Sequence, residues 1–247
     1  MTISGKHVVV TGGGTGVGAA IAQGMAQAGA RVTIMGRTRK NLAGQNLPYQ
    51  VCDVTDRAQV SDAFGKARRE NGPILAVIAN AGASESVPFA KMQPDTLNHM
   101  LSVNLTGAVN VWQEALPDQK DAGWGRMIAV ASTAGLKGYP YVAAYCAAKH
   151  GVVGLTRALA LELAATGITV NAICPGFTET PMLERSVANI VKKTGMPPEK
   201  AREALFSGNP QKRFVQTDEI AETALWLCSD GARSVNGHAL SLSGGEI

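Results

Sequence analysis

Tyr145 and Lys149, four residues apart in the segment Tyr-Cys-Ala-Ala-Lys, carry the clearest chemical signal in this sequence. On a helix that spacing stacks the two side chains on one face. An ammonium held beside a phenol favours the phenolate, so the pair is expected to lower a tyrosine pKa that is ordinarily about 10. A tyrosine tuned in this way can pass a proton to or from an alcohol oxygen. Ser132 follows the apolar run Met127 to Ala131, and its hydroxyl can hydrogen-bond the same oxygen. Alone, a tyrosine and a lysine at this spacing are common on helices. The serine and a glycine-rich turn near the N-terminus give the pair its weight.

That turn is TGGGTGVG, Thr11 to Gly18, between the β-branched run His7 to Val10 and the helix-like stretch AAIAQGMAQAGA. Strand, glycine turn and helix N-terminus together make an anion site, because backbone N–H groups and the positive end of the helix dipole converge there. The spacing Gly12, Gly16, Gly18 departs from the plain G-x-G-x-x-G fingerprint, and its position directly after the first strand raises its significance. Thr15 and Val17 complete the turn. A second strand, Arg31 to Met35, ends in Gly36-Arg37. Dinucleotide-binding folds place an acidic residue there to hold the ribose 2′-hydroxyl. This chain offers Arg37 instead, with Arg39 and Lys40 behind it, which suits a 2′-phosphate; the alternative is a solvated basic turn.

The elements that must position these residues alternate. Tyr49 to Cys52 reads as a third strand followed by Asp53 and Val54, and Asp56 is placed to cap the next helix. Ile74 to Ala79 is a fourth, fully apolar strand ending in Asn80-Ala81-Gly82, where ligands bind in open α/β sheets. A helix is expected from about Pro94 to Glu114. It contains Asn104, which is either a hydrogen-bonded core amide or a prop for the site. The fifth strand is Met127 to Ala131, the Tyr145 helix is expected to run to about Thr166, and the sixth strand, Ile168 to Ile173, is closed by Cys174-Pro175-Gly176. The segment 177–208 breaks the rhythm and reads as a lid over the site. A helix over Thr217 to Asp230 and a strand over Ala239 to Leu242 end the chain. This alternation implies a single α/β domain over residues 1–247, a Rossmann-type doubly wound parallel sheet flanked by helices on both faces.

Composition narrows the function classes. The chain has 247 residues, 45% of them hydrophobic, with a net charge of +4 spread along the sequence. The densest basic run, Arg37 to Lys40, is too short for a nucleic-acid surface. No apolar run reaches the ~18 residues of a membrane span. The N-terminus lacks the apolar core of a signal peptide, and Cys52, Cys146, Cys174 and Cys228 have neither paired nor metal-like spacing. Reduced thiols in a cytoplasmic protein without a metal are therefore expected.

Together these motifs resemble the short-chain dehydrogenase/reductase family over essentially the whole chain. The resemblance rests on TGGGTGVG, the Asp53 turn, NAG at Asn80 to Gly82, Asn104, Ser132, Tyr145-x-x-x-Lys149 and the Pro175-Gly176 pair. It implies that Tyr145 is the acid/base and that Ser132 polarises the substrate carbonyl. Lys149 would lower the tyrosine pKa and bind the nicotinamide ribose, and Asn104 would support a water-mediated proton relay. Asp53 would contact the adenine, while Thr178 and Thr180 would lie near the nicotinamide and pyrophosphate. Arg37 is similar to the branch that prefers NADP(H), although Thr15 stands where many such members carry a basic residue; NAD(H) is the alternative. The segment from Tyr145 to Met182 is similar to polyketide ketoreductases and 3-hydroxybutyrate dehydrogenases, which interconvert 3-oxo and 3-hydroxy acyl compounds. The hydroxybutyrate enzymes usually carry a glutamine after NAG to hold the substrate carboxylate, whereas this chain has Ala83-Ser84-Glu85. If it lies in the pocket, Glu85 would repel a free carboxylate, which favours a thioester, CoA- or carrier-protein-bound, or another uncharged small-molecule carbonyl or alcohol. The resemblance also implies a homotetramer. Two other readings are an NAD-dependent secondary-alcohol dehydrogenase and an inactive cofactor-sensing regulator.

Overall fold

The computed structural model describes residues 3–247. Its strands are β1 (His7–Thr11), β2 (Arg31–Gly36), β3 (Tyr49–Val51), β4 (Ile74–Ala79), β5 (Gly125–Val130), β6 (Ile168–Pro175) and β7 (Ala239–Leu242). They form one seven-stranded sheet in the order β3-β2-β1-β4-β5-β6-β7. Every pairing is parallel. The central strands are buried along nearly their whole length because both of their faces are covered. The two-residue period of a strand divides the side chains between the faces.

Val8, Val10, Ile34, Ile78 and Ile128 point to one side, where they meet Ile21 and Met25 of α1 (Gly16–Gln27) and Ile220 and Ala224 of α9 (Thr217–Leu227). Val9, Met35, Val77, Met127 and Val170 point to the other. There they meet Phe64 of α3 (Arg57–Asn71), Trp112 of α5 (Gly107–Asp121) and Val152 of α6 (Ala143–Glu162). Burying each such large side chain contributes roughly 1.5–3 kcal/mol. This is the doubly wound architecture. Its consequence for function lies at β1, where the chain first builds outward to β3 and then returns to place β4 on the opposite side. The helices leaving β1 and β4 diverge, and a crevice opens at the carboxyl ends of those strands.

Local structure departs from the sequence expectations in informative places. The helix expected from Pro94 to Glu114 is α4 (Pro94–Leu101), a π-helical turn over Ser102–Thr106, and α5, which runs on to Asp121. Asn104 explains the widened turn. Its Nδ2 donates to the Met100 carbonyl at 3.0 Å and to the Ala83 carbonyl at 2.9 Å, so the side chain competes with the helical ladder. The helix α6 stops at Glu162 rather than Thr166. A 3-10 turn follows, and Gly167 at φ 76° reverses the chain into β6. A short helix, α2 (Arg39–Ala43), lies where no helix was expected. In the segment 177–208, α7 (Pro181–Thr194) and α8 (Pro198–Phe206) close Leu183, Val187 and Ala201 against Phe214 in a small core of their own. The expected cap at Asp56 forms, with one carboxylate oxygen accepting from Ala58 N at 2.9 Å and Gln59 N at 3.1 Å.

Candidate active site

The crevice is built first by backbone. Asn80 Nδ2 donates to the Thr11 carbonyl at 2.9 Å, and the backbone amides of Asn80 and Ala81 both donate to Thr11 Oγ1 at 3.1 Å. These bonds lock the ends of β1 and β4 together. Gly12 turns there at φ 66°, and a Cβ on it would stand 2.7 Å from Asn80 Nδ2 and 3.0 Å from the Ala81 Cα. Gly16 opens α1 at φ 54°, where a Cβ would lie 3.4 Å from Thr180 Cγ2 and 3.7 Å from Pro181 Cδ. The N-termini of α1 and α7 therefore meet over one surface free of large side chains. Among the described residues, Thr15 makes no side-chain cap and the first turn of α1 carries no acidic residue. The unpaired N–H groups at the start of α1 attract an anion. Val17 and Gly18 continue that first turn. Thr180 Oγ1 accepts from Leu183 N at 3.3 Å, and Thr178 Oγ1 donates to the Gly176 carbonyl at 3.0 Å, next to Pro175 at the end of β6.

On the flank, Arg37 leaves the end of β2 with 68% of its side chain exposed, and its guanidinium approaches Asp53 at 3.8 Å. Asp53 is fixed from behind, since its Oδ1 accepts from Thr55 N at 3.0 Å and Thr55 Oγ1 at 2.8 Å. Val54 is buried, and its carbonyl accepts from Asn110 Nδ2 at 2.9 Å. An uncapped glycine turn at the start of α1, flanked by an exposed guanidinium, suits a dinucleotide carrying phosphates.

The Ser132, Tyr145 and Lys149 side chains gather above β4 and β5. Lys149 is only 5% exposed; its Nζ donates to the Val130 carbonyl at 2.9 Å and lies 5.6 Å from the centre of the Tyr145 ring. Ser132 Oγ accepts from Ala134 N at 3.1 Å, so the 3-10 turn after β5 holds the hydroxyl. Gly82 brings Asn104 into the group, since a Cβ there would meet Asn104 Oδ1 at 2.8 Å and Lys149 Nζ at 3.7 Å.

The electrostatics correct one expectation. Burial pushes the Tyr145 phenol up to about 12, and its hydrogen bond with Ser132 opposes that only in part. Burial also pulls the Lys149 ammonium down to about 8. The ammonium lies 5.6 Å from the ring centre, yet removal from water, and not that cation, sets the direction of the phenol's shift. In the protein alone, Tyr145 is therefore a protonated donor at neutral pH.

Residues 6–190 match the family model described as short chain dehydrogenase. The chain belongs to that family. Among curated relatives of this short-chain dehydrogenase, D-beta-hydroxybutyrate dehydrogenase of Cupriavidus necator is 36% identical over 255 residues, covering 99% of each chain. The 3-oxoacyl-acyl-carrier-protein reductase FabG of Thermotoga maritima is 34% identical over 257 residues, covering 100% of each. Among solved structures, a point variant of actinorhodin polyketide ketoreductase with NADPH superimposes with a TM-score of 0.94 at 32% identity, covering 100% of this chain and 98% of that one. The protein is accordingly an NAD(P)-dependent oxidoreductase acting on CH–OH groups. No helix of the described residues is long and apolar enough to cross a membrane.

Sequence reading missed several partners of this short-chain dehydrogenase site. Thr11 reads as the first residue of the glycine turn, and only the tertiary fold reveals it as the lock on Asn80. Thr133, Lys137, Tyr139 and Glu246 converge beside Ser132, although Glu246 is separated from Tyr139 by 107 residues. No spacing rule could have joined them.

Proposed function

We propose that this chain reduces a 3-oxoacyl thioester, or a similar uncharged ketone, to the secondary alcohol with NADPH as hydride donor. The observation that carries this reading is the Ser132–Tyr145–Lys149 group, half-buried at Ser132 and Tyr145 and buried at Lys149, beside the uncapped glycine turn that opens α1. When bound, the cofactor supplies the hydride. The chain's own residues do the rest. Ser132 donates a hydrogen bond to the carbonyl oxygen and aligns it with the Tyr145 hydroxyl. Tyr145, protonated at neutral pH as a phenol of ordinary pKa about 10 is, delivers its proton to that oxygen as negative charge develops. Lys149 stabilises the phenolate left behind and reaches the cofactor ribose, and Asn104 anchors the chain of water that restores the proton. Gly12, Thr15, Gly16, Val17 and Gly18 hold the pyrophosphate with Thr178 and Thr180, Asn80, Ala81 and Gly82 line the nicotinamide side, and Asp53 and Val54 bound the adenine. The helices α7 and α8 act as a lid.

Arg37 supports the choice of NADPH. A 2′-phosphate carries nearly two negative charges, and a guanidinium can bind two of its oxygens at once. The opposing feature is Asp53, 3.8 Å from Arg37, which holds the guanidinium near the adenine edge and tempers the preference. Such a partly exposed charge-assisted contact is worth roughly 1.5–3 kcal/mol, or about ten- to a hundred-fold. Glu85 is exposed three residues after Gly82, and, if it faces the pocket, favours an acyl thioester over a free carboxylate.

The test is a panel of 3-oxoacyl thioesters, other ketones and secondary alcohols, assayed with NADPH and NADH. Lower KM for NADPH is expected, and Arg37→Ala should narrow the gap mainly by weakening NADPH. Equal efficiency with both cofactors, or a preference for NADH, would sink the cofactor assignment and favour the NAD-dependent secondary-alcohol dehydrogenase.

A further inference from the structure

The end of the chain reaches into the loop that carries Ser132. Glu246, next to the last residue, keeps only 9% of its side chain exposed, and its Oε1 meets Lys137 Nζ at 2.7 Å. The same oxygen accepts from the Tyr139 hydroxyl at 2.8 Å. That hydroxyl lies 2.7 Å from Thr133 Oγ1, and Thr133 is the buried neighbour of Ser132. The Tyr139 ring meets Phe177 edge-on at 6.2 Å, on the loop that follows β6. At Gly208, beyond the end of α8, a Cβ would stand 3.0 Å from Glu246 Oε1. A Cβ on Gly176, at the end of β6, would stand 3.7 Å from Glu246 Oε2, so one carboxylate bonds to the Ser132 loop and lies against both the start of the loop after β6 and the far end of the α7–α8 segment.

We infer that Glu246 is a positioning residue, which rests on the ketone-reduction reading above. Through Tyr139 and Thr133 it fixes where Ser132 presents its hydroxyl, and at Gly208 it sets how closely the α7–α8 segment seats. A carboxylate this shielded loses solvation that one ammonium and one phenol offset only with well-directed bonds. A leucine would fill the same gap at less cost. The carboxylate adds direction, because it can only accept and so commits the Tyr139 proton to itself. The Tyr139 oxygen is then left to accept from Thr133. That chain of bonds holds the turn in which Ser132 Oγ accepts from Ala134 N at 3.1 Å.

The test pairs kinetics with hydrogen exchange in the full-length protein. Glu246→Leu removes the acceptor, and Glu246→Gln keeps a neutral one. Displacing a reacting group by an ångström can cost about a hundred-fold. Glu246→Leu is therefore expected to lower kcat for ketone reduction by about ten- to a hundred-fold, with Glu246→Gln in between, while the Kd for NADPH changes less than about two-fold. Amide exchange should quicken in residues 132–139 and 205–210 and stay unchanged in β1 and α1. Tyr139→Phe should reproduce this, and it replaces the Glu246 variants should they fail to fold. The double variant should cost little more than the worse single one, because the two residues act through one link. Unchanged kcat and exchange would overturn the inference, as would a uniform loss in stability, cofactor binding and exchange throughout the chain. Wild-type protein that turns over no ketone, yet loosens locally on Glu246→Leu, would sink the functional reading and leave the latch standing.

Discussion

The Lys149 ammonium shows how depth, rather than neighbours, sets the chemistry at the residue scale. Its pKa falls to about 8 from an ordinary 10.5 because it is buried with a single carbonyl partner at 2.9 Å. Below pH 8 both the folded and unfolded chains carry the charge, and the folded state bears the full desolvation cost. Between about 8 and 10.5 the folded protein sheds its proton first, so this destabilisation fades as pH rises. Lys149→Met should therefore melt at or above the wild-type temperature at pH 7 without cofactor, and lose that advantage above pH 10. Reduction by the variant should fall sharply. Melting curves at both pH values check this; a variant less stable than wild type at pH 7 would mean the ammonium is not strained. Tyr145→Phe removes only the proton donor. It should lower kcat by ~10²–10⁴-fold while reduced cofactor still binds, measured by its fluorescence. Near wild-type turnover would assign the acid elsewhere. Spacing made Tyr145 and Lys149 legible in the sequence only in company with Ser132 and the glycine turn. The direction of the tyrosine shift was not, since the sequence states which cation is near but not how much water is excluded.

At the scale of elements, the chain broadcast its sheet clearly and its irregularities poorly. Continuous runs such as Val8 to Val10 and Ile74 to Ala79 can be satisfied only by strands covered on both faces. The glycine turn was legible for the same reason, since those glycines stand where backbone must approach backbone. The π turn at Ser102–Thr106 was not, because it arises from Asn104 bonding to Ala83 across the crevice, a contact that no local propensity encodes. The α7–α8 segment was readable as a departure from rhythm, but its two helices were hidden by prolines that here begin helices rather than end them. The turn also yields a sharp prediction. Gly12 combines φ 66° with a close approach to Asn80 and Ala81. In Gly12→Ala, the left-handed conformation alone costs about 1–2 kcal/mol, and the methyl must push the Asn80 amide off the Thr11 carbonyl. Cofactor affinity should drop at least about ten-fold, with a lower melting temperature. Unaltered titration of NADPH would show that the β1–β4 crevice does not hold the dinucleotide.

Seen across the molecule, the two faces of the sheet end in different outer surfaces. The helix α6 packs with the side that contains Val9 and Trp112, yet its last turn holds Leu161 at 82% exposure. The opposite face carries α9, where Trp226 is 45% exposed. Single exposed apolar residues are ordinary on a protein surface. Two large ones on helices covering opposite faces are what a homotetramer with two distinct two-fold interfaces would use, because dihedral symmetry pairs each patch with its own copy. The proposed tetramer then predicts a specific pattern of dissociation. Sedimentation of the wild-type chain should give about four times its 25.7 kDa mass. Leu161→Asp alone should open one interface and leave a dimer, Trp226→Asp alone should open the other, and the double variant should run as a monomer. A wild-type protein that sediments as an active monomer would remove the tetramer. Dissociation by Leu161→Asp but not by Trp226→Asp would reduce it to a dimer built on α6 alone.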